Sequence, residues 1–148
     1  MTNFQVLPTP TKAEGDKKSY RLIKLSNGVK ALLIKEHQES TEASNSQKIA
    51  AFELAVKIGS FNDPPTVMGL AHFLEHTLFM GTTKYPTEHY FLEFVEANRG
   101  NVKAQTSSEF TAFFFKVDEK VLTEALDIFS QQFISPLILK NAMQRERC

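Results

Sequence analysis

One apolar run constrains what this chain can fold into more than any other segment. It extends from Gly69 to Gly81, contains no glycine or proline between those two residues and consists mostly of good helix formers. The run therefore predicts a helix bracketed by the two glycines. At about 100° per residue, His72, Glu75 and His76 fall within an arc of roughly 100° on that helix. Three polar groups thus share one stripe of an otherwise apolar helix.

The spacing of these polar residues is the one with which a helix can bind zinc. Two imidazoles at positions i and i+4 can ligate one Zn²⁺ at about 2.0–2.1 Å, and a carboxylate one residue before the second imidazole can reach a water at the open coordination position. Zinc would acidify that water, and Glu75 would take its proton. The order His-x-x-Glu-His is the inverse of the common zincin motif. His72 and His76 are therefore candidate metal ligands, and Glu75 is a candidate catalytic base.

A structural interpretation of the same residues needs no metal. In that interpretation the helix is buried and its histidines are satisfied by hydrogen bonds. Two histidines and a carboxylate on an apolar face must find partners or an ion, because unpaired polar groups are costly to bury. A structural domain that binds no metal is accordingly one of the function classes that the motif leaves open.

Other short segments surround this helix in a fixed order. They are Leu25-Ser26-Asn27-Gly28, Gly59-Ser60, Asp63-Pro64, Leu78-Phe79-Met80-Gly81, Lys84-Tyr85-Pro86, Glu124-Ala125-Leu126-Asp127, Phe133-Ile134 and Pro136-Leu137. Together with the motif, they resemble the amino-terminal segment of the pitrilysin family of zinc peptidases, in particular its insulin-degrading enzyme and nardilysin branch. The resemblance extends from about Ser19 to Glu146.

The resemblance implies roles for several residues. His72 and His76 would be zinc ligands, and Glu75 the catalytic base. The family's third ligand is a glutamate on a later helix, beyond the last residue of this sequence. Glu146 stands where the family has an earlier acidic residue on that helix, which supports the site without binding the metal. The chain by itself is therefore expected to be weakly active or inactive unless a longer product or a second subunit completes the site.

The resemblance also implies where a peptide would bind. In the family, the strand that corresponds to residues 101–106 lies at a sheet edge beside the metal and pairs with an extended substrate. Val102, Lys103 and Ala104 are the candidate edge residues. The family usually has a neutral amide where Lys103 stands, and a double glycine where this chain has Arg99-Gly100. Lys103 would either favour acidic residues next to the cleaved bond or face solvent on an edge strand.

Composition excludes several other function classes. The chain has 148 residues, 42% of them hydrophobic, and a formal net charge of +0, which indicates a globular domain or a piece of one. Balanced charge argues against nucleic acid as the main partner. No apolar run reaches the length of about 18 residues that a membrane span needs, and residues 1–19 lack the apolar core of a secretory signal. The single cysteine, Cys148, fits a reducing compartment, and the expected location is cytoplasmic.

The hydrophobic pattern along the chain predicts an α+β fold. Residues 1–18 are expected to be a disordered leader, and residues 19–148 the amino-terminal peptidase domain, truncated at its C-terminal end. Strands are predicted at 20–25, 29–34, 49–58, 102–106 and 110–117, with the first two joined by Asn27-Gly28. Helices are predicted at 69–81, from the N-cap Thr87 to about Gly100, after the cap Asp118, and from Pro136 to Arg147, with a solvated loop at 36–47. The predicted architecture is an antiparallel sheet flanked by helices, a partial half-domain of the pitrilysin-type peptidase fold.

Two function hypotheses from different classes follow. The first is the catalytic segment of a zinc metalloendopeptidase with one Zn²⁺ per chain, acting on peptide substrates, with a second subunit or the missing C-terminal half as a further partner. The alternative is a catalytically inactive truncated relative that acts as a peptide-binding or partner-subunit module. Neither hypothesis involves nucleic acid or a membrane.

Overall fold

A computed structural model of the protein describes residues 4–37 and 48–145. The chain forms two compact units, Met1–Asn45 and Ser46–Cys148. Among the helices of the described residues, none combines the length and the hydropathy that crossing a membrane requires.

The first unit contains an antiparallel three-stranded sheet in the order β1-β2-β3. Its strands are β1 (Phe4–Leu7), β2 (Ser19–Leu25) and β3 (Lys30–Lys35). The predicted hairpin between β2 and β3 is confirmed: Leu25 N donates to Val29 O at 2.8 Å, and Gly28 N donates to Leu25 O at 2.9 Å. Gly28 has φ +92°, the left-handed conformation that glycine adopts without steric cost and that this turn requires.

Residues 4–7, within the segment 1–18 that was predicted to be a disordered leader, form strand β1. Phe4 pairs with Leu25 of β2, and Leu7 pairs with Leu22. The side chain of Val6 is nonetheless 60% exposed, so backbone pairing rather than side-chain burial defines this short strand. A hydrophobic pattern reports burial, and it therefore gives little signal for such a strand. Pro8, which has no N–H to donate to a ladder, follows immediately after it.

The described residues of the second unit form an antiparallel sheet and four helices, which confirms the predicted α+β class. The sheet has the order β4-β6-β5 and consists of β4 (Ile49–Val56), β5 (Asn101–Thr106) and β6 (Thr111–Asp118). The helices are α1 (Leu70–Thr77), α2 (Tyr90–Ala97), α3 (Leu122–Ile134) and α4 (Lys140–Arg145), and short 3₁₀ turns occur at Ser60–Asn62 and Glu119–Val121. Within the described residues, β5 is an edge strand of this sheet.

Phenylalanine supplies much of the core of the second unit. Phe113 and Phe115 of β6 face the helices and are almost fully buried. The ring of Phe115 packs edge-on against Phe91 of α2 at 5.3 Å and lies 5.5 Å from the ring of Phe129 of α3. Such aromatic contacts add to the stabilisation that comes from burying apolar area. The other buried residues of this core are Leu78, Val95, Val117, Ala125 and Ile128.

Helix α2 begins later than predicted. Its N-cap is His89, with φ +60°, and not Thr87. Thr87 O accepts a hydrogen bond from Tyr90 N at 3.3 Å, so Thr87 belongs to a turn that precedes the helix. The threonine side chain suggested a cap from sequence, but the intervening turn moves the first helical residue to Tyr90.

The end of α2 depends on the close approach of two backbones. A Cβ on Gly100 would lie 2.0 Å from Lys116 O, so only glycine fits beside β6 at this position. Gly100 N donates to Val95 O at 2.8 Å and thereby closes the helix end. Arg99, where the resemblance implies another glycine, has φ +59°, a conformation that costs an L-residue about 1 kcal/mol.

The predicted cap Asp118 lies ahead of α3, but it acts on the preceding 3₁₀ turn. Its carboxylate accepts a hydrogen bond from Lys120 N at 3.0 Å, whereas the N-cap residue of α3 itself is Val121. The predicted last helix is present but begins at Lys140 rather than at Pro136, because Pro136 forms an isolated bridge with Thr82. It extends to Arg145, and Arg147 lies outside the described residues. Of the predicted loop at 36–47, the described residues 36 and 37 are in neither helix nor strand, and residues 38–47 are outside the described part.

Asp127 joins α3 to the segment that follows α1. Its Oδ2 accepts hydrogen bonds from Lys84 Nζ at 2.6 Å and from Tyr85 OH at 2.5 Å. These two donors, Lys84 first, hold the pKa of Asp127 below its usual value. Tyr85 also stacks on Tyr90 of α2, with ring centroids 5.3 Å apart. The cluster therefore links two helices through a segment without regular structure.

Asp127→Asn should make the stability of the protein less sensitive to acid. A carboxyl whose pKa is depressed in the folded state stabilises the fold above its unfolded pKa of about 3.9, and that contribution is lost as the pH falls through the folded pKa. The variant should be less stable than wild type near neutral pH, and the difference should shrink below about pH 4. Urea unfolding at a series of pH values measures this, with exposed Glu124→Gln on the same helix as control. A stability difference that does not change with pH would contradict the prediction.

Candidate metal centre

The motif lies on α1, and a carboxylate from outside the helix caps its first turn. Asp63 Oδ2 accepts a hydrogen bond from Gly69 N at 2.7 Å, and Asp63 Oδ1 accepts one from Ala71 N at 2.8 Å. These are backbone N–H groups that a helix start leaves without intrahelical partners, and a negative charge is favourable there. Gly69 itself, with φ +86°, has no side chain with which to cap the helix. Asp63 therefore caps the start of α1 in place of the N-cap residue.

Helix α1 is shorter than the predicted helix at 69–81. It ends at Thr77, and the chain continues in tighter turns in which Phe79 N donates to His76 O and Met80 N to Thr77 O. All three motif residues nevertheless lie within the regular helix. The contraction at its C-terminal end therefore leaves their spacing unchanged.

The structure brings the donor atoms of the motif together. One ligand atom from each of His72, Glu75 and His76 lies within 4.8 Å of the other two. The two histidines are exposed, whereas Glu75 is only 8% exposed. Within residues 4–37 and 48–145, this is the group of His, Cys, Asp and Glu side chains that has a spacing suitable for a metal ion.

The separation of the two imidazoles fits zinc. His72 Nε2 and His76 Nε2 are 3.1 Å apart, and their rings are inclined at 72°. Two nitrogens bound to a tetrahedral ion at about 2.05 Å would be about 3.3 Å apart, so little movement is needed for both to bind one ion. The alternative is a hydrogen bond between the two rings, in which one nitrogen is protonated. Imidazole is also a ligand type that suits zinc.

Glu75 is held by a residue that the sequence analysis did not identify. Thr106 Oγ1 donates a hydrogen bond to Glu75 Oε2 at 2.5 Å. Thr106 is the last residue of β5, and α1 packs beside that strand. The alternation of β5 would have placed Thr106 on the same sheet face as Val102 and Ala104. No local pattern, however, pairs it with a residue 31 positions earlier in the chain.

Strand β5 presents its predicted edge residues on two different faces. Val102 and Ala104 pack against the core, opposite Phe115 and Phe113 of β6. Lys103 is exposed and lies on the other face of the sheet. The solvent-facing interpretation of Lys103 is therefore the one that its placement favours.

The backbone of β5 has hydrogen-bonding groups at its open edge. Ser107 N donates to Phe110 O at 2.8 Å, so residues 107 and 110 form a hydrogen-bonded pair. Such pairs alternate in an antiparallel ladder, which makes Lys103 and Phe114 another one. The N–H and C=O groups of Val102 and Ala104 consequently point away from β6, toward an edge where no other strand of the described chain pairs.

The turn after β5 is held in place by a close backbone contact. Ser60 N donates to Ser107 O, and Phe61 N donates to Ser108 O, each at 2.9 Å. A Cβ on Gly59 would lie 2.4 Å from Ser107 O, so a side chain at this position would force the two segments apart. The contact thus fixes the end of β5, where Thr106 lies.

The predicted supporting residue Glu146 is outside the described residues.

Residues 40–148 match the family model described as insulinase, peptidase family M16. The chain belongs to this family. Human insulin-degrading enzyme is 42% identical over 136 residues, which is 92% of this chain and 13% of that protein. A putative zinc protease of Caenorhabditis elegans is 38% identical over 137 residues, or 93% of this chain and 15% of that protein. Nardilysin of Pongo abelii is 43% identical over 113 residues, which is 76% of this chain and 10% of that protein.

A solved structure gives the same assignment. The crystal structure of pitrilysin superposes with a TM-score of 0.87 and 32% identity, covering 99% of this chain and 15% of that chain. The family resemblance and the predicted partial peptidase fold are therefore confirmed. The chain spans only 10–15% of the length of the curated relatives named here.

Asp63→Ala should destabilise the fold by about 1–2 kcal/mol, because two backbone N–H groups at the start of α1 lose their acceptor. Asp63→Asn keeps one side-chain oxygen and should lose less. Urea unfolding of both variants, monitored by circular dichroism, gives the comparison. If Asp63→Ala were as stable as wild type, the capping role would be wrong.

Proposed function

We propose that this chain is the amino-terminal catalytic segment of a zinc metalloendopeptidase. His72 and His76 would hold the ion, and Glu75 would act as the general base. The observation that carries the proposal is the 3.1 Å separation of the two Nε2 atoms, beside a buried carboxylate on the same helix. The names of relatives such as the putative zinc protease of C. elegans support the same cofactor.

Each residue of the centre has a distinct task in peptide-bond hydrolysis. When bound, zinc would lower the pKa of a coordinated water to near 7 and polarise the peptide carbonyl. Glu75 would accept the proton of the attacking water and pass it to the leaving amine. Thr106 donates to Oε2, so we assign the proton transfer to the other carboxylate oxygen, Oε1. His72 and His76 would hold the ion and would take no part in proton transfer.

The open edge of β5 would bind the substrate as an additional strand. Val102 and Ala104 direct their N–H and C=O groups to this edge, and main-chain pairing of this kind gives affinity with little dependence on sequence. Lys103 would line the same edge with its side chain on the opposite face. The strand and the centre are adjacent, because Thr106 at the end of β5 contacts Glu75. A peptide paired along β5 would therefore run toward the candidate base.

Completion of the site requires further residues. Catalytic zinc normally has three protein ligands and an open position, whereas this helix supplies two histidines. We infer that the third ligand comes from a longer polypeptide or from a second subunit, and we assign Glu146 a supporting role. A cytoplasmic location belongs to the same proposal and is supported by the single cysteine.

The open edge of β5 also favours a second candidate function. Pairing of a peptide with this edge needs no metal and no third ligand. A catalytically inactive relative could therefore still act as a peptide-binding or partner-subunit module. Metal content and turnover separate this function from the first one.

Zinc analysis of purified variants tests the proposal. Wild type dialysed against zinc and then against buffer should retain about one ion per chain, whereas His76→Ala should lose it because a single histidine remains. His37→Ala, in the first unit, is the matched control and should retain zinc. Glu75→Gln should also retain zinc, and its hydrolysis of a fluorogenic peptide should fall at least about 100-fold.

The outcomes distinguish the three function classes. A wild-type protein that retains no zinc would contradict the metallopeptidase proposal and favour a structural domain. Zinc retention without turnover, combined with peptide binding, would favour the binding module. Turnover that survives Glu75→Gln would exclude Glu75 as the base.

A further inference from the structure

Glu75 is a buried carboxylate whose orientation is set by one hydroxyl group. It is 8% exposed, and Thr106 Oγ1 lies 2.5 Å from its Oε2. A carboxylate on a helical side chain has rotatable bonds that would let it swing toward the neighbouring imidazoles or away from them. The contact with Thr106 removes that freedom on one side of the carboxylate.

The hydroxyl proton of Thr106 has a defined direction. Thr111 of β6 pairs with Thr106, and the Oγ1 atoms of the two threonines are 3.4 Å apart. The Thr111 hydroxyl donates to Ile58 O at 2.9 Å, so its single proton is already used. The Thr106 hydroxyl is therefore left to donate to Glu75. The contact therefore has the Thr106 hydroxyl as its donor and the Glu75 carboxyl oxygen as its acceptor.

We propose that Thr106 is the positioning residue for Glu75. Its hydroxyl fixes Oε2 and leaves Oε1 to take the proton from water, and it keeps the carboxylate in the place of a base rather than that of a third metal ligand. The inference rests on the proposed function and deepens it. Thr106 is the last residue of β5, whose open edge would bind the peptide. Strand β5 would therefore set both the position of the bound peptide and the orientation of the base.

A purely structural role for Thr106 makes a different prediction. If the hydroxyl only satisfies a buried carboxylate, its loss should reduce stability without a specific effect on catalysis. If it positions the base, its loss should lower kcat with little change in KM, because the substrate edge and the imidazoles are untouched. Restoration of the hydroxyl by serine should then restore kcat.

The experiment compares Thr106→Val, Thr106→Ser and the matched control Thr111→Val in the whole chain. Valine keeps the branched shape that suits a strand and removes only the hydroxyl. Thr111→Val removes the neighbouring hydroxyl, which does not contact Glu75. The first readout is the ¹³C signal of the Glu75 carboxyl at fixed pH in the metal-free protein, assigned by its disappearance in Glu75→Gln. The second is the separation of kcat from KM for a fluorogenic peptide, with zinc content measured in parallel.

Thr106→Val should shift the Glu75 carboxyl signal, leave zinc content unchanged and lower kcat about 10- to 100-fold, the usual effect of removing a residue that orients a metal-site group. Thr106→Ser should return both readouts toward wild type, and Thr111→Val should move neither. An unchanged carboxyl signal and an unchanged kcat in Thr106→Val would overturn the proposal. Thr106→Ala takes the place of the valine variant if circular dichroism shows that the latter does not fold.

The carboxyl signal separates failure of this inference from failure of the proposed function. A wild-type protein that retains no zinc would contradict the peptidase assignment, and the signal would still test the contact in the same samples. If the signal moves in Thr106→Val and returns in Thr106→Ser, the positioning contact stands. If it moves equally in Thr111→Val, the effect belongs to the packing of the strand pair, and the positioning role is wrong.

Discussion

The packing of α1 beside β5 is the constraint on which the candidate centre depends. A helix alone fixes the spacing of His72 and His76, but it leaves the long side chain of Glu75 free to rotate. Contact with the edge strand supplies a hydroxyl from Thr106 at 2.5 Å and buries the carboxylate. The helix thus places two imidazole nitrogens beside a carboxylate whose rotation is restrained, and all three groups belong to one local substructure.

Backbone contacts that only glycine permits hold this substructure together. Gly59 lets the 3₁₀ turn at Ser60–Asn62 lie directly on the turn after β5, and Gly100 lets the end of α2 lie on β6. Asp63, between Gly59 and α1, caps the helix through two backbone N–H groups. The segment before the motif is therefore a support that sets both the start of α1 and the end of β5.

Periodicity in the sequence was sufficient to predict most of the regular elements. The alternation in β4 and β6 and the Asn27-Gly28 turn each depend on neighbours within a few residues, and these predictions are confirmed. The motif spacing on α1 is local in the same way. Contacts between distant residues were not predictable, since Thr106 meets Glu75 across 31 positions and Asp63 reaches Ala71 across 8. Strand β1 was missed because its side chains remain largely exposed.

X-ray absorption at the zinc edge of the zinc-loaded protein tests the central claim most directly. The account predicts two imidazole nitrogens at about 2.0–2.1 Å from the ion, with oxygen ligands in the remaining positions. It further predicts that His76→Ala loses the zinc signal because a single histidine remains, while Glu75→Gln keeps zinc with both imidazole ligands. A spectrum without imidazole ligands, or one that is the same in His76→Ala, would contradict the assignment of α1 as the metal-binding helix.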